Sequence, residues 1–188
     1  MSRPGPTPGQ TVGPFFGYAL PFAGGPELVP PGRSDAVRLT GRVLDGAGAG
    51  VPDALLELWQ AAPDGAVVEQ PGSLRRDGWT FTGWGRAATD PDGAYTFTTV
   101  RPGPSGPGRP AWFAVAVLAR GLLDRLLTRV YLPDDAGALA GDPLLSALPA
   151  DRRSTLIARH CPGGYRFDVV LQGRGETVFL RHGAPQPG

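Results

Sequence analysis

"GRPAWFAVAV" (residues 108–117) leaves a run crowded with glycine and proline and continues as an apolar stretch. A short apolar segment bounded by turn residues reads as a strand entering a sheet. Side chains alternate along a strand, so Trp112 and Ala114 project from the same face. A large ring beside a methyl group is an unusual pair, and its meaning depends on the rest of the chain.

Outward from this strand the same signature recurs. "VRLTGRVLD" and "VPDALLELWQA" are joined by the glycine-rich "GAGAG". "TDPDG" precedes "AYTFTTV", and "DRLLTRVYLPDD", "YRFDVVLQG" and "ETVFL" follow later. Seven or eight short strands at roughly even spacing predict an all-β sandwich. The spacing predicts one short helix, over "PADRRSTLIARH" (149–160), where Pro149 suits a first turn and Leu156 and Ile157 give an amphipathic pattern. Residues 1–36 read as an extended N-terminal arm and residues 37–188 as the β-sandwich domain, in a single domain overall. The arm carries the apolar knot "VGPFFGYALPF", which needs a surface to cover, either on its own body or on a partner.

Composition narrows the function. Glycine (29) and proline (22) punctuate apolar runs in a chain that is 41% hydrophobic, which favours a turn-rich fold over disorder. A net charge of +1 gives no general attraction to nucleic acid or to a membrane surface. The lone Cys161 excludes an intrachain disulfide, and the N-terminus lacks the apolar core of a secretory signal. The reading predicts a cytoplasmic protein.

Few residues offer catalytic chemistry. Of the two histidines, His160 lies beside Cys161, and neighbours in extended chain point opposite ways, while His182 sits in the terminal tail, so no metal site is expected from them. "TDPDG" (89–93) begins like a calcium loop but lacks the acid that position 12 requires, where Arg101 stands, so it reads as a β-turn. Arg129 is the exception. In "LLTRVYL" it shares a face with Leu127 and Tyr131, and a charge in such a strand snorkels, pairs or binds an anion. Asp168 is a possible partner for one of the arginines.

"TPGQTVGPFF" (7–16), "LELWQAAPDG" (56–65), "GRAATDPDGAYTFTTVRPG" (85–103), "ARGLLDRLLTRVYLPDD" (119–135) and "YRFDVVLQGRGETVFL" (165–180) together resemble the intradiol ring-cleaving dioxygenases. The likeness runs in order along nearly the whole chain. It implies a prealbumin-like β-sandwich that works as an alpha-type subunit with a related beta-type chain in a higher-order hetero-oligomer. Members of the family use non-haem Fe(III), held by two tyrosines and two histidines. By the resemblance, the histidine places fall on Trp112 and Ala114, a tyrosine place falls in "GPSG" (103–106), and the Val67–Glu69 neighbourhood lacks the other tyrosine.

The resemblance therefore implies that iron is held by the beta chain and that this chain supplies no catalytic residue and no metal ligand. It also implies a role in lining the partner's pocket, with Thr11, Gly13, Pro14 and Arg129 as substrate-binding residues. The implied substrates are protocatechuate, a catechol that carries a carboxylate, and O2. Burial at the beta chain would then occupy the arm around Phe15 and Phe16. A non-enzymatic prealbumin-like binding or scaffold module is the alternative, although it leaves "QTVGPFF" and Arg129 without a purpose.

Overall fold

The computed structural model describes Gly13, residues 15–70, Leu74 and residues 76–181. Thr11, Pro14 and His182 lie outside the described residues. Nine strands occur among the described residues: β1 (Ala36–Leu44), β2 (Leu55–Trp59), β3 (Trp84–Ala88), β4 (Ala94–Val100), β5 (Trp112–Leu118), β6 (Leu126–Tyr131), β7 (Arg159–Cys161), β8 (Gly164–Arg166) and β9 (Val169–Val170). Four short helices accompany them: α1 (Phe16–Ala19), α2 (Ala136–Gly141), α3 (Pro143–Ser146) and α4 (Ala150–Ser154).

The strands form two sheets, one in the order β4-β1-β8-β7 with β9 also on β1, the other in the order β3-β2-β5-β6. One core lies between them. Leu39, Val43, Phe97, Phe167 and Val169 enter it from the first sheet side, and Leu56, Leu58, Phe113, Val115 and Val130 from the second. Each large side chain removed from water contributes about 1.5–3 kcal/mol, so this layer holds the two sheets together. The predicted all-β sandwich is the observed architecture. The glycine-rich turn after β1 makes no β1–β2 hairpin, because these strands belong to different sheets. "TDPDG" likewise carries the chain from β3 to β4 across the sandwich, and Asp90 Oδ1 accepts the Asp92 and Ala94 N–H groups at 2.9 and 2.8 Å.

The helix expected over 149–160 is shorter than its sequence pattern. It ends at Ser154, and the chain is then captured by strands. Tyr131 N–H donates to Leu156 at 2.8 Å, Ala158 N–H donates to Tyr131 at 2.9 Å, and β7 pairs with β8. Edge pairing with both sheets satisfies this backbone better than another helical turn could. Two further helices, α2 and α3, precede it, capped by Asp135 and Asp142. "ETVFL" forms a single bridge, Leu127 to Leu180, rather than a full strand.

The segment after the arm's aromatic knot lies against both sheets. Gly25 accepts from Arg86 of β3 at 2.9 Å, Leu28 N–H donates to Thr98 of β4 at 2.8 Å, and Leu28 and Val29 are buried. Phe16 is buried by the chain itself, whereas Phe15 is 74% exposed, so the two phenylalanines do not act as one exposed pair. Among the described residues no helix is long and apolar enough to cross a membrane.

Candidate functional site

The outer face of the second sheet carries the candidate site. Register places Trp59 opposite Ala114 and Ala114 opposite Arg129, with Trp112 opposite Tyr131 one step along. Trp112 and Ala114 thus share the outward face, as strand alternation requires, while Phe113 and Val115 fill the core. On β6, Thr128 and Val130 point inward and are buried, leaving Arg129 half-buried on the outside.

The guanidinium carbon of Arg129 stands 4.2 Å from the centroid of the Trp112 ring. Its Nη1 donates to the Tyr131 hydroxyl at 3.2 Å, and that hydroxyl donates to Asp142 Oδ1 at 3.1 Å. Asp142 Oδ1 also accepts the N–H groups of Leu144 and Leu145 at 3.0 and 3.1 Å, so the carboxylate is fixed at the start of α3. Tyr131 is fully buried because the α2–α4 excursion covers the end of β6 with Leu145, Leu156 and their neighbours. Burial pushes its phenol up, while the hydrogen bond and charge of Arg129 act in the opposite direction.

Arg129 differs from Arg86, which stands on the same face. Arg86 is ion-paired to Glu57 at 2.6 Å and lies over the Trp84 ring at 5.0 Å. Among the described residues, no carboxylate lies within ion-pairing distance of Arg129. Two hollows open beside it. One, about 490 Å³, is lined by Ser105, Arg109, Trp112, Arg129 and Asp142 among others. The second, about 200 Å³, lies over Trp59, Ala114, Leu127 and Arg129. A cationic wall with aromatic neighbours suits a planar anionic ligand.

The Trp112–Ala114 face does not fit a metal. An indole N–H is a donor without a free lone pair, and a methyl group has no donor atom at all. Among the described residues no group of three or more His, Cys, Asp or Glu side chains is placed to hold an ion. His160 is on the first sheet, 63% exposed, with Nε2 3.8 Å from Asp134 and its ring against Tyr165. Asp168 partners Arg159 and Arg166, both at 3.1 Å, rather than Arg129.

The structure brings the 105–106 turn, Trp112 and Arg129 to one hollow. Gly13 has φ +86° and lines neither hollow. The sequence placed Tyr131 on the face of Arg129 but gave it no role, and Asp142 and Arg109 went unremarked. The Asp142–Pro143 step was the available signal, since a capping acid followed by proline marks a helix start.

Known proteins bear on this arrangement. Residues 13–173 match the Dioxygenase family profile. The chain is 40% identical over 191 residues to the protocatechuate 3,4-dioxygenase alpha chain of Burkholderia cepacia, covering 93% of this chain and 96% of that one. It is 35% identical over 162 residues to the protocatechuate 3,4-dioxygenase beta chain of the same organism, covering 78% of this chain and 68% of that one. Among solved structures, the dioxygenase domain of a dioxygenase carbohydrate-binding protein fusion from Streptomyces sp. SirexAA-E is similar at 29% identity and a TM-score of 0.55, over 90% of this chain and 99% of that one.

Proposed function

The chain belongs to the intradiol dioxygenase family, and from that membership we propose that it is the alpha subunit of a heteromeric protocatechuate 3,4-dioxygenase. The assembly cleaves protocatechuate with O2, between the two hydroxyl-bearing carbons, to 3-carboxy-cis,cis-muconate. The family implies non-haem iron. Trp112 and Ala114 cannot ligate a metal, which supports the reading that the iron is held by the beta chain, and no step of the reaction is given to a metal on this one.

The observation that carries the reading is the half-buried Arg129, held on an outward face without a carboxylate partner among the described residues. A fixed guanidinium suits the carboxylate of protocatechuate, which catechol lacks. The family resemblance gives Thr11, Gly13 and Pro14 a place in the partner's pocket, and within this chain Gly13 lines neither hollow beside Arg129. Exposed Phe15 and Tyr18, together with half-exposed Trp59, offer apolar surface for the partner chain.

Separate purification tests this. The chain alone should carry no stoichiometric iron and cleave no ring, whereas co-expression with a beta-type chain should give both. One tightly bound iron per isolated chain, with tyrosinate-to-iron visible absorption, would overturn the assignment.

A further inference from the structure

We infer that Trp112 and Ala114 form a cradle for Arg129, with Trp112 as a positioning residue for carboxylate recognition; this rests on the role proposed above for Arg129. Ala114 lies directly across from Arg129 in the sheet. A longer side chain there would compete for the space into which the arginine leans. With only a methyl group present, the guanidinium reaches diagonally to the Trp112 ring at 4.2 Å from its centroid.

The cation sits over the ring, and Tyr131 takes one Nη1 hydrogen. Asp142 stands one hydrogen bond further away, through the Tyr131 hydroxyl. It therefore orients the arginine without occupying its charge. The Nε and Nη2 hydrogens have no hydrogen-bond partner among the described residues, and they form the side of the fork that a carboxylate accepts. A free arginine side chain would have to be ordered on binding, whereas one already held over a ring loses less freedom. Two positions that cannot ligate a metal thus acquire a different task.

The geometry can be read on the full chain without a substrate. In the wild type, the Arg129 side-chain NMR resonances, assigned by their loss in Arg129→Lys, should be shifted upfield by the Trp112 ring current. They should return to ordinary arginine positions in Trp112→Leu. Ordinary positions in the wild type would overturn the cradle, whatever the protein's activity.

The function is read in the assembly with the beta-type chain. Trp112→Leu should raise KM for protocatechuate about three- to thirty-fold, the range of a cation–π contact, with little change in kcat. Trp112→Phe should recover most of that loss, and KM for catechol should stay within about twofold. Trp112→Leu combined with Arg129→Leu should match Arg129→Leu alone, because both act through one group. Equal losses on both substrates, no recovery by phenylalanine, or additive losses would overturn the positioning role. If Arg129→Leu itself spares protocatechuate, the proposed role of Arg129 fails and the positioning role falls with it, while the resonances still decide the cradle.

Discussion

The Tyr95 hydroxyl donates to the backbone carbonyl of Phe167 at 2.7 Å, so β4 is tied across β1 to the link between β8 and β9. Gly41, the β1 residue opposite Tyr95, makes this possible, since a Cβ there would overlap the Phe167 carbonyl. Tyr95→Phe keeps the ring and leaves that carbonyl unpaired, which should cost about 1–3 kcal/mol in denaturant unfolding. Burial, assisted by the Asp168 charge, holds the Tyr95 phenol far above its ordinary value. Its folded pKa therefore exceeds the unfolded value of about 10, so the contribution is intact below that pH and is lost as pH rises beyond it. The stability gap between wild type and Tyr95→Phe should shrink above about pH 10, and an unchanged gap there would contradict this account.

Glu57 and Arg86 face each other across β2 and β3, with side-chain exposures of 17% and 14%. Arg86 Nη1 also donates to the Leu20 carbonyl at 2.6 Å, which ties the N-terminal segment to the sheet. Glu57→Gln should cost about 1–3 kcal/mol, because it leaves a mostly buried guanidinium without its counter-charge. Proteolysis near Leu20 should quicken in parallel if the segment is held through this arginine. A stable variant with an unchanged cleavage rate would show the pair to be dispensable.

The sandwich was legible because its strands announce themselves individually. "AYTFTTV" alternates cleanly, and Tyr95, Phe97 and Thr99 all become buried. β3 was not legible, since Gly85 and Arg86 break the apolar pattern and the strand exists through pairing with β2 and the Glu57 contact. β7 was hidden inside a helical pattern for the complementary reason. Its hydrogen bonds come from β8 and from Tyr131, partners distant in sequence, and no local propensity records them.

For the site, the Trp112–Ala114 pair and Arg129 could be singled out from the sequence, but their contact could not. Alternation gives the face on which a residue stands and leaves open which strands are neighbours. The Ala114–Arg129 register appears only once β5 and β6 are paired. Tyr131 was equally ambiguous. The sequence placed it only on the face of Arg129 and left its burial open, and it becomes buried because 25 residues further along Leu156 folds back over it.

Asp142 joins the helix start to the site. Asp142→Ala removes the acceptor for Leu144 and Leu145 and the partner of the Tyr131 hydroxyl. Loss of such a cap costs about 1–2 kcal/mol, measured as a lowered unfolding midpoint. Asp142→Asn keeps an oxygen acceptor and should recover most of it. Equal losses in the two variants would mean that the charge, rather than the cap geometry, is what α3 requires.

Arg129→Leu separates recognition from structure. Leucine suits a β-strand surface, and Tyr131 retains Asp142 as its hydrogen-bond partner, so the fold and the assembly should survive. A lost charge-assisted hydrogen bond to the substrate carboxylate is worth about 1.5–3 kcal/mol. Each 1.36 kcal/mol is tenfold in rate, so kcat/KM for protocatechuate should fall by about one to two powers of ten. Catechol carries no carboxylate and should lose much less. Steady-state kinetics of the co-expressed assembly on both substrates, after iron content has been matched, measures the difference. Equal losses on the two would make Arg129 a structural residue of the sheet face, and no loss on either would place it outside the pocket.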